Sequence, residues 1–369
     1  MEKLKICLTT LGFYPDNIGG DSKFFSKLYD ELLRRGHDLT VLTAQWNEGF
    51  NNPKILAIKV PKIRMIWAPK FGLIFRKYLK NNDFDIIYTN GSRGSIPVLL
   101  TDKPYITQIH DVGPFQAKFV KIPGLKWLEK KNAQKSKLIT TCSESNVEEI
   151  SYYMKVPKSK IFVVLDGIDP IFQPYPQRGK ELKEQLKIKG PTILYVGRIA
   201  FYKGVEDIIK AYRIAKKEII DLNLIIGGLP ELKMKKIYEN WKNNYKDVMF
   251  VGKIPEELLP IYYSMADIFT TYSFASEGFG LTPVEALKCG TPVICSNLPA
   301  YKSVLKEFAI FVEPRKPELL AQAFINQLKN PDIGIQKVKD ASNLLKLYTW
   351  ENVVDNLENV FRIYLEKFK

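Results

Sequence analysis

Short apolar runs alternate with stretches of helical periodicity along almost the whole chain. Runs of roughly four to eight apolar residues between turn signals read as buried strands. In the first half these are Leu4–Leu11, Leu39–Thr43, Asp85–Thr89, Tyr105–Ile109, Lys137–Thr141 and Ile161–Leu165. In the second half they are Thr192–Gly197, Asn223–Ile226, Val248–Val251, Asp267–Thr271 and Pro292–Cys295. Between them, Lys23–Arg35 places Phe24, Leu28 and Leu32 on one helical face and stops at Gly36. The last stretch, Trp350–Lys369, repeats the pattern with Val353, Leu357, Val360, Phe361 and Tyr364. Its place at the end leaves open which half it packs on. Strands alternating with helices predict parallel α/β layers. The 369 residues suffice for two domains, each with its own core. The polar segment Asp169–Lys180, with Pro170, Pro174 and Pro176, is the best linker. The expected division is residues 1–170, a linker at 171–190, and a second domain at 191–349. Two similar halves joined this way imply a cleft, a usual place for a ligand.

Composition narrows this picture. Apolar residues make up 46%, which excludes a disordered chain. No uncharged apolar run reaches the length of a spanning helix. Lys3–Leu11 is read as a first strand rather than a signal peptide. Cys7, Cys142, Cys289 and Cys295 are scattered, and His37 and His110 lie far apart. That spacing gives no zinc pattern and suits free thiols in a reducing cytosol. No metal is expected.

The net charge is +15, a sign that suits nucleic acid, anionic lipid or acidic small molecules. No nucleic-acid-binding motif accompanies it. Between Asn51 and Asn82 stand Lys54, Lys59, Lys62, Arg64, Lys70, Arg76, Lys77 and Lys80 with no acid. Ile66, Trp67, Phe71, Leu73, Ile74, Phe75 and Leu79 are interleaved, and a second basic stretch runs from Lys118 to Lys137. Two readings stand: an anionic membrane surface met by residues 54–80, or an amphipathic helix with a solvated lysine face.

The chemistry concentrates in two places. Ser276-Glu277-Gly278-Phe279-Gly280-Leu281 follows a buried strand and leads into a helix carrying Pro283 in its first turn and Glu285 after it. The glycines let backbone approach a ligand, and free N–H groups at a helix start favour an anion. A carboxylate on either side, Glu277 and Glu285, can hold hydroxyl groups. Phosphate between two sets of hydroxyls describes a nucleotide sugar. Separately, the loop Gly197-Arg198-Ile199-Ala200-Phe201-Tyr202-Lys203-Gly204 leaves a strand end, where open α/β sheets bind ligands. Arg198 can grip two phosphate oxygens and Lys203 adds a compact charge.

Together, Gly197-Arg198, Lys203-Gly204, Glu277-Gly278-Phe279-Gly280-Leu281 and Glu285-Ala286 resemble the motifs of the retaining glycosyltransferases of family 4, with the GT-B fold. The two glutamates match that family's E-x7-E pair. Gly19-Gly20 before a helix, Gly36-His37 before a strand, His110-Asp111, Thr141-Cys142-Ser143 and Asp166-Gly167-Ile168-Asp169 are similar to its other landmarks, so the likeness spans nearly the whole chain. It implies two doubly wound Rossmann-like domains facing a central cleft, with the helix 350–369 crossing back to the N-terminal domain. It implies that Arg198 and Lys203 neutralise the donor diphosphate. Glu277 would hold sugar hydroxyls with the backbone of Gly278, Phe279, Gly280 and Leu281, and Glu285 the ribose. Gly19 and Gly20 would meet the diphosphate, and His110 the transferred sugar. The catalytic set implied is thus His110, Arg198, Lys203 and Glu277, beside the donor-binding Gly197. The co-substrate is a UDP-, GDP- or ADP-linked sugar and the acceptor a hydroxyl, without cofactor or metal. The expected location is cytoplasmic, peripheral on the inner face of the membrane.

The chain departs from the family pattern at several points. Gly227-Gly228-Leu229-Pro230 stands for the usual Gly-x-Gly-Pro, Ser303 for a common glutamate, and Asp166 for a common asparagine. The lead-in Tyr272–Ser276 is one residue longer than usual. A non-catalytic nucleotide-sugar or polysaccharide-binding subunit is therefore the alternative. A hydrolase-type carboxylate pair is set aside because Glu285 sits on a helix beside a phosphate-type loop. A dinucleotide oxidoreductase is set aside because Gly12 followed by Gly19-Gly20 gives no GxGxxG.

Overall fold

Two all-parallel sheets carry the chain in the computed structural model, which describes residues 2–16, 19–47, 49–60, 64–116, 123–275 and 277–369, the side chains of 64–67 excepted. Ser276, Lys62, Lys118, Lys121 and the side chains of Arg64, Ile66 and Trp67 lie outside the described residues. The chain divides into two units, Met1–Gly167 with Trp350–Lys369, and Ile168–Thr349.

The first unit's strands are β1 (Lys5–Thr9), β2 (Asp38–Gln45), β3 (Ile55–Lys59), β4 (Ile86–Asn90), β5 (Ile106–Gln108), β6 (Leu138–Thr141) and β7 (Ile161–Val163). They lie in the order β3-β2-β1-β4-β5-β6-β7. Alternating side chains serve the two faces of this sheet. Ile6, Leu8, Ile86 and Tyr88 pack with Phe25, Leu28 and Leu32 of helix Gly20–Arg34 and with Val353, Leu357 and Phe361 of helix Trp350–Phe368. Cys7 and Ile87 point the other way, onto Phe71, Phe75 and Leu79 of helix Arg64–Asn81. Each fully buried leucine of this kind contributes roughly 1.5–3 kcal/mol.

The final helix is thus part of the first unit's core. His37 clasps it: Leu4 N–H donates to His37 Nδ1 at 3.2 Å, and His37 Nε2 lies 3.0 Å from Glu358 Oε1. Arg35 adds contacts to Asp355 at 2.5 Å and Glu358 at 3.2 Å. The helix-to-strand turn at Gly36-His37 is therefore structural.

The second unit holds β8 (Thr192–Val196), β9 (Asn223–Gly227), β10 (Val248–Gly252), β11 (Ile268–Thr271), β12 (Val293–Ser296) and β13 (Ile310–Val312). Their order is β10-β9-β8-β11-β12-β13. β3 and β13 have no counterpart among the predicted strands. β3 is a half-exposed edge flanked by lysines, so its sequence resembles an interfacial stretch, and β13 is only three residues long.

The segment 171–190, expected as a linker, carries the helix Pro176–Gln185. Pro176 suits a first helical turn, where its missing N–H is no loss. This helix belongs to the second unit: Tyr175 N–H donates to Ser264 Oγ at 2.9 Å, and Lys183 meets Asp267 at 3.0 Å.

Candidate functional site

Each sheet reverses its strand order once, between β1 and β4 and between β8 and β11. Such a switch point leaves two neighbouring loops at the carboxyl edge, the place where open parallel sheets hold ligands. In the second unit those loops are 197–204 and 272–280, the two stretches richest in predicted chemistry.

Gly204 ties them together. Its φ is +66°, and a Cβ there would lie 2.1 Å from the Tyr272 carbonyl oxygen. Only glycine allows the turn into helix Val205–Ala215 at that approach. Lys203, one residue earlier, is thereby aimed at the other loop. Its Nζ donates to both oxygens of Glu277, at 2.6 and 2.9 Å. Ser273 Oγ donates to Glu277 Oε1 at 2.5 Å, and Tyr301 OH lies 3.4 Å from Ser273 Oγ and 3.1 Å from Thr271 Oγ1. The Glu277 side chain keeps only 10% of its exposure, so water screens this pair weakly. A lysine has three N–H donors and a carboxylate about four acceptor sites, so both groups retain capacity for a ligand.

Arg198 stands in the same loop with its guanidinium largely exposed. Nη2 donates to Tyr202 OH at 2.7 Å and Nη1 pairs with Glu231 at 3.0 Å. Those partners fix the fork while leaving further N–H groups outward. Its carbonyl accepts from Tyr195 OH at 3.0 Å.

On the far side of the loop, Gly280 precedes helix Leu281–Lys288, and Phe279 is buried edge-on against Tyr348 with ring centres 5.3 Å apart. Glu285, in this helix, accepts from Tyr263 OH at 2.8 Å. Burial, and then the Glu285 charge, push the Tyr263 phenol well above its ordinary range, so it stays a donor. Glu277 and Glu285 therefore have separate partners rather than forming a shared acid–base pair.

The glycine pair that departs from the family pattern has a packing reason. Gly228 has φ +140°, and a Cβ would fall 1.8 Å from the Gly197 carbonyl oxygen. Gly197 N–H donates to Gly227 O at 3.0 Å, and Ile199 N–H to Leu229 O at 3.0 Å. The loops after β8 and β9 are thus zipped together, holding Arg198 beside Glu231.

In the first unit, Gly19 is extended and Gly20 begins helix Gly20–Arg34, with nothing within 4 Å of a Cβ placed on Gly20. One turn on, Phe24 meets the His110 ring edge-on, centres 5.4 Å apart. The His110 carbonyl accepts from Asn146 Nδ2 at 2.8 Å and from Cys142 Sγ at 3.2 Å. Behind it lies Asp166, buried, its carboxyl raised to about 6 by burial with His110 opposing the rise.

His110, Cys142 and Asp166 form a close set of ligand-type atoms, within 4.8 Å of one another. The thiol does not fit a metal: burial, and then the charges of Asp166 and Asp111, push it far up, and its hydrogen goes to the His110 carbonyl.

Sequence reasoning gave no role to Ser273, Tyr301, Tyr263, Tyr202 and Glu231, which hold the charged groups. The long lead-in before Glu277 was the signal for Ser273. Nothing local marks Tyr263, which reaches Glu285 from 22 residues away.

Two family models match: "Glycosyl transferases group 1" over residues 178–343 and "Glycosyltransferase Family 4" over residues 18–172. An uncharacterized glycosyltransferase of Methanocaldococcus jannaschii is 24% identical, across 98% of this chain and 99% of its own length. Sucrose-phosphate synthase from Thermosynechococcus elongatus superposes with a TM-score of 0.81 at 22% identity, covering 98% and 99% of the two chains. An Anabaena protein solved in complex with UDP-glucose gives 0.75 at 17% identity, over 98% and 99%. These likenesses establish the GT-B fold.

Proposed function

The chain belongs to glycosyltransferase family 4, the group 1 glycosyl transferases, and from that premise we propose that it moves a sugar from a nucleotide-diphosphate donor to a hydroxyl acceptor with retention of configuration. The observation that carries this reading is the Lys203–Glu277 pair at the switch point, with Arg198 in the same loop. A cation whose carboxylate partner still has free acceptor sites suits the junction of a phosphate with a sugar. Lys203 meets a diphosphate oxygen and Glu277 a sugar hydroxyl, while Glu285 takes the ribose diol. The Anabaena structure with UDP-glucose supports a donor of this chemical class.

When the anomeric carbon–oxygen bond breaks, the diphosphate leaves with added negative charge. Arg198 and Lys203 are fixed before that charge appears, so they stabilise the transition state more than the bound donor. At about 4 Å and an effective dielectric near 20, one such cation is worth about 4 kcal/mol to a unit of charge. The departing phosphate oxygen takes the acceptor's proton as the acceptor oxygen bonds the anomeric carbon on the same face. This route needs no protein base and no metal. Turnover of a panel of UDP-, GDP- and ADP-sugars tests it. Transfer by wild type and loss in Arg198→Ala/Lys203→Ala is the expected result; equal rates would sink it.

The proposal extends to where the enzyme works. No described helix is long and apolar enough to cross a membrane. Helix Arg64–Asn81 exposes Lys70, Leu73, Ile74, Lys77 and Lys80 on one outer face, with Leu73 58% exposed. In helix Leu125–Lys135, Trp127 is 61% exposed with Lys131 over its ring at 4.5 Å. Apolar side chains ringed by lysines suit the surface of an anionic bilayer on the cytoplasmic side. Co-sedimentation with anionic vesicles, lost in Leu73→Ser/Ile74→Ser, is expected; sedimentation unaffected by that change would reject the surface.

A further inference from the structure

His110 and Asp166 each bury a polar atom that finds no partner. His110 Nε2 and Asp166 Oδ1 are enclosed, and neither has a hydrogen-bond partner among the described residues. A ring nitrogen of His110 and a carboxylate oxygen of Asp166 lie within 4.8 Å of one another. A folded chain seldom leaves two such atoms unmet in one place, and where it does the arrangement has a use.

The surroundings restrict what that use is. The His110 ring is held from one side by Phe24, which also packs on Trp350 at 5.6 Å. Its main chain is pinned by Asn146 and Cys142. The titratable groups facing the pair are few. Cys142, at the end of β6, remains a thiol for the reasons given above. Tyr88, from β4, gives its hydrogen-bonding capacity to Gln108 at 2.9 Å and Thr140 at 2.8 Å, and burial holds it protonated. Asp111 accepts from the Gly113 N–H at 2.7 Å. Asp166 is left as the one charge-bearing group beside the ring without a bond of its own at Oδ1.

We propose that Asp166 is the positioning residue for His110: its buried carboxyl stands beside the imidazole and keeps the ring set to donate to a substrate oxygen. This rests on the proposed transfer and on the family resemblance, which implies that His110 meets the transferred sugar. It goes beyond that reading by giving the histidine a fixed orientation from the residue that stands where the family commonly has asparagine. Two groups so close titrate as a pair, so removing one changes the macroscopic steps seen at the other.

The chain has two histidines, so ring nitrogen spectra of labelled protein resolve both, His37 serving as an internal reference and His110→Gln as the assignment. In wild type the His110 signals should report a step near about pH 6, the range to which burial raises the Asp166 carboxyl. Asp166→Asn, equal in size, should abolish that step in the His110 signals and leave His37 unchanged. Asp166→Ser should do the same, and thermal melting confirms that each variant is folded. In transfer assays, Asp166→Asn should shift the acid limb of kcat while KM for the donor moves less than about threefold. Superimposable His110 curves in wild type and both variants would overturn the proposal. So would one equivalent of zinc bound with a Cys142 thiolate absorption. The spectra need no substrate, so absence of transfer with every donor would count against the proposed function while the pairing stands or falls separately.

Discussion

The two units repeat one strand order, yet they finish the carboxyl edges of their sheets in opposite ways. In the second unit the charged groups are paired and reachable: Lys203 with Glu277, Arg198 with Glu231, Glu285 with Tyr263. In the first unit the comparable edge leaves enclosed atoms of His110 and Asp166 unmatched. The difference separates two tasks. Binding a dianionic diphosphate needs cations already held in place by partners, since fixed charge costs no reorganisation when the ligand arrives. Handling a proton needs a group whose charge state is not already decided by a strong partner.

The largest effect should come from breaking the second unit's pairs. Arg198→Ala/Lys203→Ala should lower kcat/KM by at least about a hundredfold, and on the order of a thousandfold if both act in the transition state. Steady-state rates with the best donor check it. Lys203→Ala and Glu277→Ala should not be additive, because each single change already strands the other group. A double-mutant cycle should give a coupling of about 0.5–3 kcal/mol, and simple additivity would mean the pair is incidental.

Next in size are the backbone contacts that align the loops. Gly204→Ala places a methyl against the Tyr272 carbonyl and should cost about 2–4 kcal/mol in chemical denaturation. The same change at Gly20, where no atom lies within 4 Å of the added carbon, should cost under about 1 kcal/mol. Equal losses at both positions would contradict the account of the loop junction.

Smaller again is the pH response of the first unit. The Asp166 carboxyl is raised in the folded chain, so the folded state holds its proton longer than the unfolded state between pH 3.8 and about 6. Stability from this group therefore falls as pH rises through that window and is constant above it. Asp166→Asn should be more stable than wild type by about 1–3 kcal/mol above pH 6, and the gain should vanish below about pH 4. Melting temperatures across that range decide it, and a gain independent of pH would remove the buried-charge explanation.

Much of this layout was legible from the sequence, and the exceptions have physical causes. Strands such as Thr192–Gly197 and Asp267–Thr271 announced themselves because burial within a parallel sheet favours mostly apolar runs. Arg198, Lys203, Glu277 and Glu285 were legible because loops at a switch point have to place charge at fixed offsets from a strand end. The β3 edge was not, since its short run Ile55–Ile58 is only half-buried and lies inside a lysine-rich stretch that reads as an interfacial surface. Helix Pro176–Gln185 was hidden by Pro176, whose residue type marks a turn as readily as a helix start. Tyr263 and Ser273 escaped notice because their value lies in contacts across the fold rather than in local spacing, and Asp166 was visible only as a departure, not as a neighbour of His110. Gly228 was visible as a departure, but its reason, the Gly197 carbonyl pressed against it, appears only in three dimensions.

The central claim is that the Arg198–Lys203–Glu277 set receives a nucleoside diphosphate. Calorimetric titration with UDP, GDP and ADP tests it most directly, using wild type and the folded Arg198→Ala/Lys203→Ala variant. The account predicts one-to-one binding of at least one of the three by wild type and a weakening of about a hundredfold or more in the variant. Equal affinity in the two proteins, or no binding of any of the three to wild type, would contradict it.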